Sequence, residues 1–285
     1  MKLCRFVKDG SNPHVGMFAD ETTLLDLTAQ GVQDIGSLLE LESLPDRLAA
    51  WASEQLPRVP LAAVSLRAPV DRQEVWAAGV TYLRSKTARM EESDFGATAY
   101  DRVYSAVRPE LFFKSLGEKV AGPGEPIGIR RDAHWNVPEP ELALVLNSRG
   151  QLVGVTVGND MSSRAIEGEN LLYLPQAKIY RNSCALGPCI RVGVGESEVR
   201  EWKIEMLIGR AEATVFRGET SPGQLKRRFA ELAEFLFRSQ EFPHGAVLLT
   251  GTGIVPPAGF TLLERDVVEI QISGIGVLRN PVELV

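Results

Sequence analysis

Residues 137–160 read VPEPELALVLNSRGQLVGVTVGND, and this stretch decides the fold of the chain. Two largely apolar runs, 142–146 and 152–157, flank a short segment that contains an asparagine and a glycine, both common in turns. The pattern predicts a β-hairpin in which Leu146 pairs with Gln151.

The predicted register brings acidic side chains together. It places Glu139 opposite Gly158, and Asp160 lies two residues after Gly158, as Glu141 lies two after Glu139. Residues that oppose each other or lie two apart on a strand share a face. Glu139, Glu141 and Asp160 therefore point to the same side of the hairpin. A bulge would slip the register and turn Asp160 away.

These three carboxylates predict a metal site. Like charges this close disfavour ionisation of one another unless a cation lies between them. Mg²⁺ or Mn²⁺ suits such oxygen ligands. A Glu-x-Glu pair also occurs on ordinary solvated strands, so the residues alone leave both interpretations open.

Composition narrows the class of protein. Hydrophobic residues make up 44% and charged residues 24% of the 285 residues, as in ordinary globular proteins. A net charge of -6 argues against a nucleic-acid partner. The charged N-terminus does not resemble a signal peptide, and no apolar run is long enough to span a membrane. We expect a cytoplasmic protein.

The positions of proline and glycine along the chain predict a β-rich α+β fold with two domains. Residues 1–68 are expected to form a small N-terminal α+β domain with strands at 3–7 and 15–18. A helix over 35–44 would end at Pro45, with a second helix after it. Residues 69–285, with short strands separated by glycine and proline, are expected to form the main domain.

Two other segments carry local signals. Ser221-Pro222-Gly223-Gln224 is a capping-box pattern that predicts a helix with an apolar stripe at 225, 229, 232 and 236. Residues 84–108 are polar and carry charges of both signs. They are either a lid over a site or a long exposed loop.

Motifs spread over residues 75–285 occur in the order and spacing of one family. They are Leu111-Phe112-Phe113-Lys114, Glu139-x-Glu141, Gly158-Asn159-Asp160-Met161-Ser162-Ser163-Arg164, Lys178, Leu186-Gly187-Pro188, Leu249-Thr250-Gly251-Thr252-Gly253 and Gly276-x-Leu278-x-Asn280. Through them the chain resembles the fumarylacetoacetate hydrolase family.

The resemblance implies a fold, an ion and an assembly. The fold is a mixed β-sandwich roll, and the assembly is a homodimer or a dimer of dimers. Mg²⁺ (or Mn²⁺) would be held by Glu139, Glu141 and Asp160. Lys178 would reach the bound substrate, which in this family is typically a 2-oxo acid or a diketo acid.

One departure from the family pattern narrows the chemistry. Hydrolases of the family usually carry a histidine that helps to activate the attacking water, and Ser85 occupies that position here. A serine hydroxyl is no general base near neutral pH. Residues 80–93 and 108–114 instead resemble the branch that dehydrates 2-keto-3-deoxy-D-arabinonate, which also lacks the histidine.

Several residues are candidates for catalysis or substrate binding, and some of them have a second interpretation. Lys178 either transfers a proton or stays charged and binds a substrate oxygen. Glu92, alone or with Glu91, is a candidate acid for the leaving hydroxyl, or else an exposed loop residue. Candidate substrate-binding residues are Arg84, Ser85, Lys114, Lys178 and Thr252. Lys114 is alternatively an ion-pair partner of the acids.

We therefore predict a Mg²⁺-dependent lyase that dehydrates a 2-keto-3-deoxy sugar acid through a metal-stabilised enolate. The best match is 2-keto-3-deoxy-D-arabinonate, which would give 2,5-dioxopentanoate. A carbon–carbon hydrolase of acylpyruvates is the first alternative and would need a substitute base such as His134. A decarboxylase or tautomerase of 2-oxo acids, and a non-enzymatic oxo-acid-binding protein, are the others.

Overall fold

The computed structural model describes residues 1–8, 12–92 and 97–285, and of residues 89, 91, 92, 97 and 98 it describes the backbone alone. The strands are β1 Lys2–Val7, β2 His14–Phe18, β3 Thr23–Asp26, β4 Arg58–Pro60, β5 Ser65–Arg67, β6 Glu74–Gly79, β7 Glu110–Leu116, β8 Ile127–Ile129, β9 Asn136–Val137, β10 Pro140–Leu146, β11 Leu152–Asp160, β12 Ser162–Ser163, β13 Cys184–Val192, β14 Ile204–Arg210, β15 Ala213–Thr220, β16 Ala246–Leu249, β17 Val267–Ile272 and β18 Gly276–Leu284. The helices are α1 Ile35–Leu39, α2 Leu44–Ala52, α3 Leu83–Glu92, α4 Ala97–Ser105, α5 Arg164–Glu169, α6 Leu174–Lys178, α7 Glu196–Arg200 and α8 Phe229–Phe237. Short 3₁₀ turns lie at Leu27–Gln30, Leu61–Ala63, Gly117–Lys119, Leu171–Tyr173 and Pro222–Gln224.

Two sheets dominate the molecule. The larger runs in the order β4-β3-β2-β1-β13-β11-β10-β16-β6-β7, with β5 added beside β1. The second runs β15-β14-β17-β18-β8, and β9 pairs with β12 separately. Strand β10 is buried along its whole length, which explains its nearly continuous apolar sequence. The predicted β-rich α+β fold is confirmed.

The predicted hairpin is the pair β10 and β11, but its register differs from the prediction. Gly158 lies opposite Glu141 and not opposite Glu139. Glu139 instead lies beside the end of β11, where its carbonyl accepts a hydrogen bond from the Asp160 N–H at 3.0 Å. The register is therefore shifted by two residues.

Two separate one-residue changes produce this shift. The turn is one residue longer than predicted, because Leu146 pairs with Leu152. A bulge at Val153 adds the second residue, since Val145 then pairs with Gly154. Either change alone would have turned the strand over, whereas the two together restore the predicted face.

The N-terminal region has the predicted strands but different helices. α1 ends at Leu39, and Pro45 lies in the first turn of α2. Proline is tolerated at a helix start because the first N–H groups have no partner within the helix. The prediction that Pro45 ends a longer first helix is therefore wrong.

Strand β1 joins this region to the rest of the large sheet. It pairs with β13 as well as with β2 and β5. Leu3 packs in one apolar cluster with Val145 and Ile190. The division into domains at residue 68 remains a prediction.

The predicted helix after Ser221 starts later than expected. Ser221 does cap a turn, but that turn is the short 3₁₀ segment Pro222–Gln224. The next N–H, at Lys226, donates to the carbonyl of Thr81 at 3.0 Å, so the backbone leaves the helical path. α8 begins only at Phe229.

Residues 84–108 are mostly helical. α3 and α4 occupy most of the segment and pack against each other, so the expectation of a long exposed loop is wrong for the described residues. Whether the segment acts as a lid remains a prediction. None of the described helices is long and apolar enough to cross a membrane.

Candidate active site

Three buried carboxylates lie together at the end of the central hairpin. Glu139 precedes β10, Glu141 belongs to it, and Asp160 ends β11. One carboxylate oxygen of each lies within 4.8 Å of those of the other two, and all three residues are buried. We call this group the carboxylate triad.

The neighbouring backbone fixes the triad. Asn159 Oδ1 accepts a hydrogen bond from the Glu139 N–H at 3.2 Å. The Gly251 N–H donates to Glu141 Oε2 at 2.5 Å. Gly251 has a φ of +93°, and a Cβ there would lie 2.0 Å from Thr81 Oγ1. Glycine is therefore required where this N–H approaches the carboxylate.

The Lys178 ammonium spans two members of the triad. Its Nζ donates to Glu139 Oε2 at 2.8 Å and to Asp160 Oδ2 at 3.0 Å. It also lies 2.6 Å from Ser162 Oγ, whose hydroxyl donates to the carbonyl of Asp160. Ser162 Oγ is therefore an acceptor for Lys178, so the lysine has three acceptors within reach of its Nζ.

Lys114 lies behind the triad and is completely buried. Its Nζ is 2.5 Å from Asp160 Oδ1 and donates to the carbonyls of Met161, at 2.9 Å, and Lys178, at 2.5 Å. The ammonium thus ties the Asp160 carboxylate to the backbone at Lys178. This geometry agrees with the ion-pair alternative, and the substrate-binding role of Lys114 remains a prediction.

Glu141 is the member of the triad that a metal ion would neutralise. Its burial, and after that the charges of Asp160 and Glu139, raise its pKa well above the ordinary value, while Lys178 acts in the opposite direction. Among the described ion pairs, Glu139 and Asp160 have cationic partners and Glu141 has none. A hard divalent cation fits this oxygen donor set.

The triad opens onto a small inner cavity of about 20 Å³, roughly the room of one water molecule. Ser85, Lys178 and Thr252 line it, so three of the predicted substrate-binding residues are brought together. Arg84 is exposed and does not line it. The side chains of Glu91 and Glu92 lie outside the described residues.

Sequence reasoning missed a carboxylate in this cavity. Glu110, the first residue of β7, lines it. A Cβ on Gly79 would lie 2.1 Å from Glu110 Oε2, so the glycine leaves room for that side chain. The available signal was the position of Glu110 directly before the Leu111–Lys114 motif.

A buried arginine connects the triad to a second missed carboxylate. Arg164 Nη1 lies 3.5 Å from Glu139 Oε1 and 3.3 Å from Glu167 Oε2. Its guanidinium lies 5.8 Å from the centre of the Trp135 ring. Arg164 ends the Gly158–Arg164 motif, and Glu167 follows one helical turn later on α5.

Comparisons with known proteins cover nearly the whole chain. A family model described as fumarylacetoacetate (FAA) hydrolase C-terminal matches residues 74–283. A "Probable 2-keto-3-deoxyxylonate dehydratase" of Haloferax volcanii is 44% identical over 93% of this chain and 94% of its own length. A 2-dehydro-3-deoxy-D-arabinonate dehydratase of Saccharolobus solfataricus is 37% identical over 99% of this chain and 96% of its own.

A solved structure agrees with these relatives. A 2-keto-3-deoxy-D-arabinonate dehydratase complexed with magnesium and 2,5-dioxopentanoate superposes with a TM-score of 0.83 at 34% sequence identity. The match covers 100% of this chain and 99% of that one.

Proposed function

Because this chain belongs to the fumarylacetoacetate hydrolase family, we propose that it is a Mg²⁺-dependent hydro-lyase that dehydrates a 2-keto-3-deoxy sugar acid. The best candidate is 2-keto-3-deoxy-D-arabinonate, with 2,5-dioxopentanoate as product. The keto group and the deoxy carbon remove the stereocentres at C2 and C3. Arabinonate- and xylonate-derived acids with the same C4 configuration are therefore one compound, which is compatible with both relatives' names.

The inner cavity is the observation that carries this proposal. It combines the carboxylate triad with Lys178, and the described residues that line it include no histidine. Ser85 lines it at the position where hydrolases of the family have that base. His134, the substitute that a hydrolase would need, is exposed and does not line the cavity. The site therefore supports loss of water better than attack by water.

The triad would hold the magnesium ion, as its burial, oxygen donors and uncompensated Glu141 suggest. When bound there, the ion supplies Lewis acidity toward the keto oxygen of the substrate. Lys178 lies beside two of the ligands and is our candidate for moving the proton at C3. The alternative that its geometry supports is a charged lysine that binds a substrate oxygen.

The remaining site roles are also proposals. Ser85 and Thr252 line the cavity and are placed to bind substrate oxygens, and Arg84 would do so only from outside it. Glu92 remains a candidate acid for the leaving hydroxyl. Glu110 is a second candidate, because its side chain lines the cavity.

Product analysis tests the reaction. The purified protein is incubated with Mg²⁺ and either 2-keto-3-deoxypentonates or acylpyruvates, with and without EDTA, and products are followed by mass spectrometry. We expect a sugar acid to lose one water and EDTA to block the loss. Cleavage of an acylpyruvate into two acids, with no dehydration, would show that another base activates water.

We also propose the assembly and location that the family resemblance implies, a cytoplasmic homodimer or dimer of dimers. Analytical ultracentrifugation of the purified protein tests the assembly. A sedimenting mass of two or four chains is expected, and a monomer at micromolar concentration would contradict it.

A further inference from the structure

Beyond the inner cavity lies a larger outer cavity of about 320 Å³. The two share Tyr100, Glu110, Glu167 and Leu174 in their walls. A substrate held at the triad by its oxo-acid end would therefore extend past Glu110 and Glu167 toward the outer cavity.

Apolar side chains form most of the remaining wall. Among the described residues, Ala99, Val103 and Leu171 complete the lining of the outer cavity. None of these three side chains can hydrogen-bond to a hydroxyl. Among the described lining residues, the polar groups that could meet the far end of a sugar acid are thus at the junction between the two cavities.

Arg164 bridges Glu167 and the triad. One nitrogen, Nη1, contacts both Glu139 Oε1 and Glu167 Oε2. The arginine is buried, and its guanidinium lies over the Trp135 ring. Glu167, which lines both cavities, therefore lies close to a proposed metal ligand.

We propose that Glu167 is a specificity-determining residue that accepts a hydrogen bond from the C5 hydroxyl of the sugar acid. A carboxylate has about four acceptor positions, so one such group can bind more than one donor at a time. The product carries an aldehyde at C5, whose oxygen can only accept. The hydrogen bond is therefore lost when product forms, which favours product release.

The inference rests on the proposed function, and a pair of substrates tests it. 2-keto-3-deoxy-D-arabinonate carries the C5 hydroxyl, whereas 4-hydroxy-2-oxopentanoate of the same C4 arrangement lacks it and keeps the leaving group. We expect the protein to prefer the first by about tenfold or more in kcat/KM, since a site that hydrogen-bonds a hydroxyl discriminates against its absence.

Variants of Glu167 then test whether this residue causes the preference. Glu167→Ala should reduce the preference about tenfold, because kcat/KM should fall more for the sugar acid than for the deoxy analogue. Glu167→Gln, which keeps an acceptor oxygen, should retain most of it. Glu169→Ala, an exposed position on the same helix, is the matched control and should behave like the parent protein.

Each contrary outcome has its own meaning. If Glu167→Ala slows both substrates equally, Glu167 acts through Arg164 and the triad, and the inference is wrong. A melting-temperature titration with Mg²⁺ would then show a weaker metal response for that variant. If the parent protein with Mg²⁺ dehydrates neither substrate, the proposed function itself is wrong, and the inference with it.

Discussion

At the scale of single residues, the members of the carboxylate triad differ in what neutralises them. Glu139 and Asp160 contact the Lys178 ammonium, whereas Glu141 accepts the Gly251 N–H. Burial and its two acidic neighbours raise the pKa of Glu141. Its ionised form is therefore destabilised before a cation binds.

Glu141→Gln should consequently have opposite effects with and without metal. In EDTA the variant is expected to be at least as stable as the parent, because a repelled buried carboxylate is removed. With Mg²⁺ it should lose both the rise in melting temperature and turnover. Glu234→Gln, an exposed carboxylate on α8, is the control. A full Mg²⁺ response in Glu141→Gln would remove Glu141 from the ligand set.

Lys178→Met should separate metal binding from chemistry. The variant removes a positive charge next to Glu139 and Asp160, so Mg²⁺ should bind at least as tightly, as calorimetry can measure. The rate of dehydration should fall by about 10²-fold or more if Lys178 transfers the proton. Turnover close to that of the parent would exclude this role.

At the scale of elements, the turn after β16 supports the triad through Gly251. An alanine there would need a positive φ and would collide with Thr81. Gly259 also has a positive φ, at +90°, but nothing lies near its Cβ position. The two glycines therefore separate the cost of backbone strain from the cost of a collision.

Gly251→Ala should be clearly the more damaging of the two variants. Gly259→Ala is expected to lose about 1–2 kcal/mol of unfolding free energy and to keep its Mg²⁺ response. Gly251→Ala should lose more than this, together with the response, because the N–H to Glu141 is displaced. Equal losses in urea unfolding would show that the contact at Gly251 contributes little.

The start of the 3₁₀ turn after β3 depends on Asp26. Burial alone would raise the pKa of this carboxyl, but hydrogen bonds from Lys8, Thr28 and His14 outweigh burial and lower the pKa to about 2. Its ordinary value in an unfolded chain is about 3.9. A depressed pKa means that Asp26 stabilises the fold above pH 4 and loses this contribution as pH falls toward 2.

Asp26→Asn should therefore lower the free energy of unfolding most near neutral pH. The difference in unfolding free energy between variant and parent is expected to shrink as urea melts are moved from pH 6 to pH 3. Asp46→Asn, at an exposed position on α2, serves as control. A difference that stays constant with pH would mean that the charge of Asp26 is not what stabilises the turn.

At the scale of the whole molecule, the large sheet runs through both predicted domains. Strand β1 is hydrogen-bonded to β13, and Leu3 and Phe6 are completely buried. We expect calorimetry to show one cooperative unfolding transition, shifted upward as a whole by Mg²⁺. Two transitions, with Mg²⁺ moving only one, would instead support an independent unit at residues 1–68.

The local signals of the chain were correct where local chemistry decides. The hairpin, the β-rich class and the grouping of the three acidic residues follow from apolar runs, turn residues and charge repulsion, all of which act between near neighbours. Ser85 in place of the family's histidine likewise favoured dehydration over hydrolysis. The family resemblance added the ion and the substrate class.

Contacts between distant residues decided the rest. The turn and the bulge at Val153 set the register together. The Lys226 N–H donates to the carbonyl of Thr81, which is distant in the sequence, and so does not continue the predicted helix. Glu110 and Glu167 reach the site only because β7 and α5 are folded against it. The sequence by itself thus determined which chemistry the chain carries. Only the tertiary structure determined which charges meet, because burial and pairing depend on residues far apart along the chain.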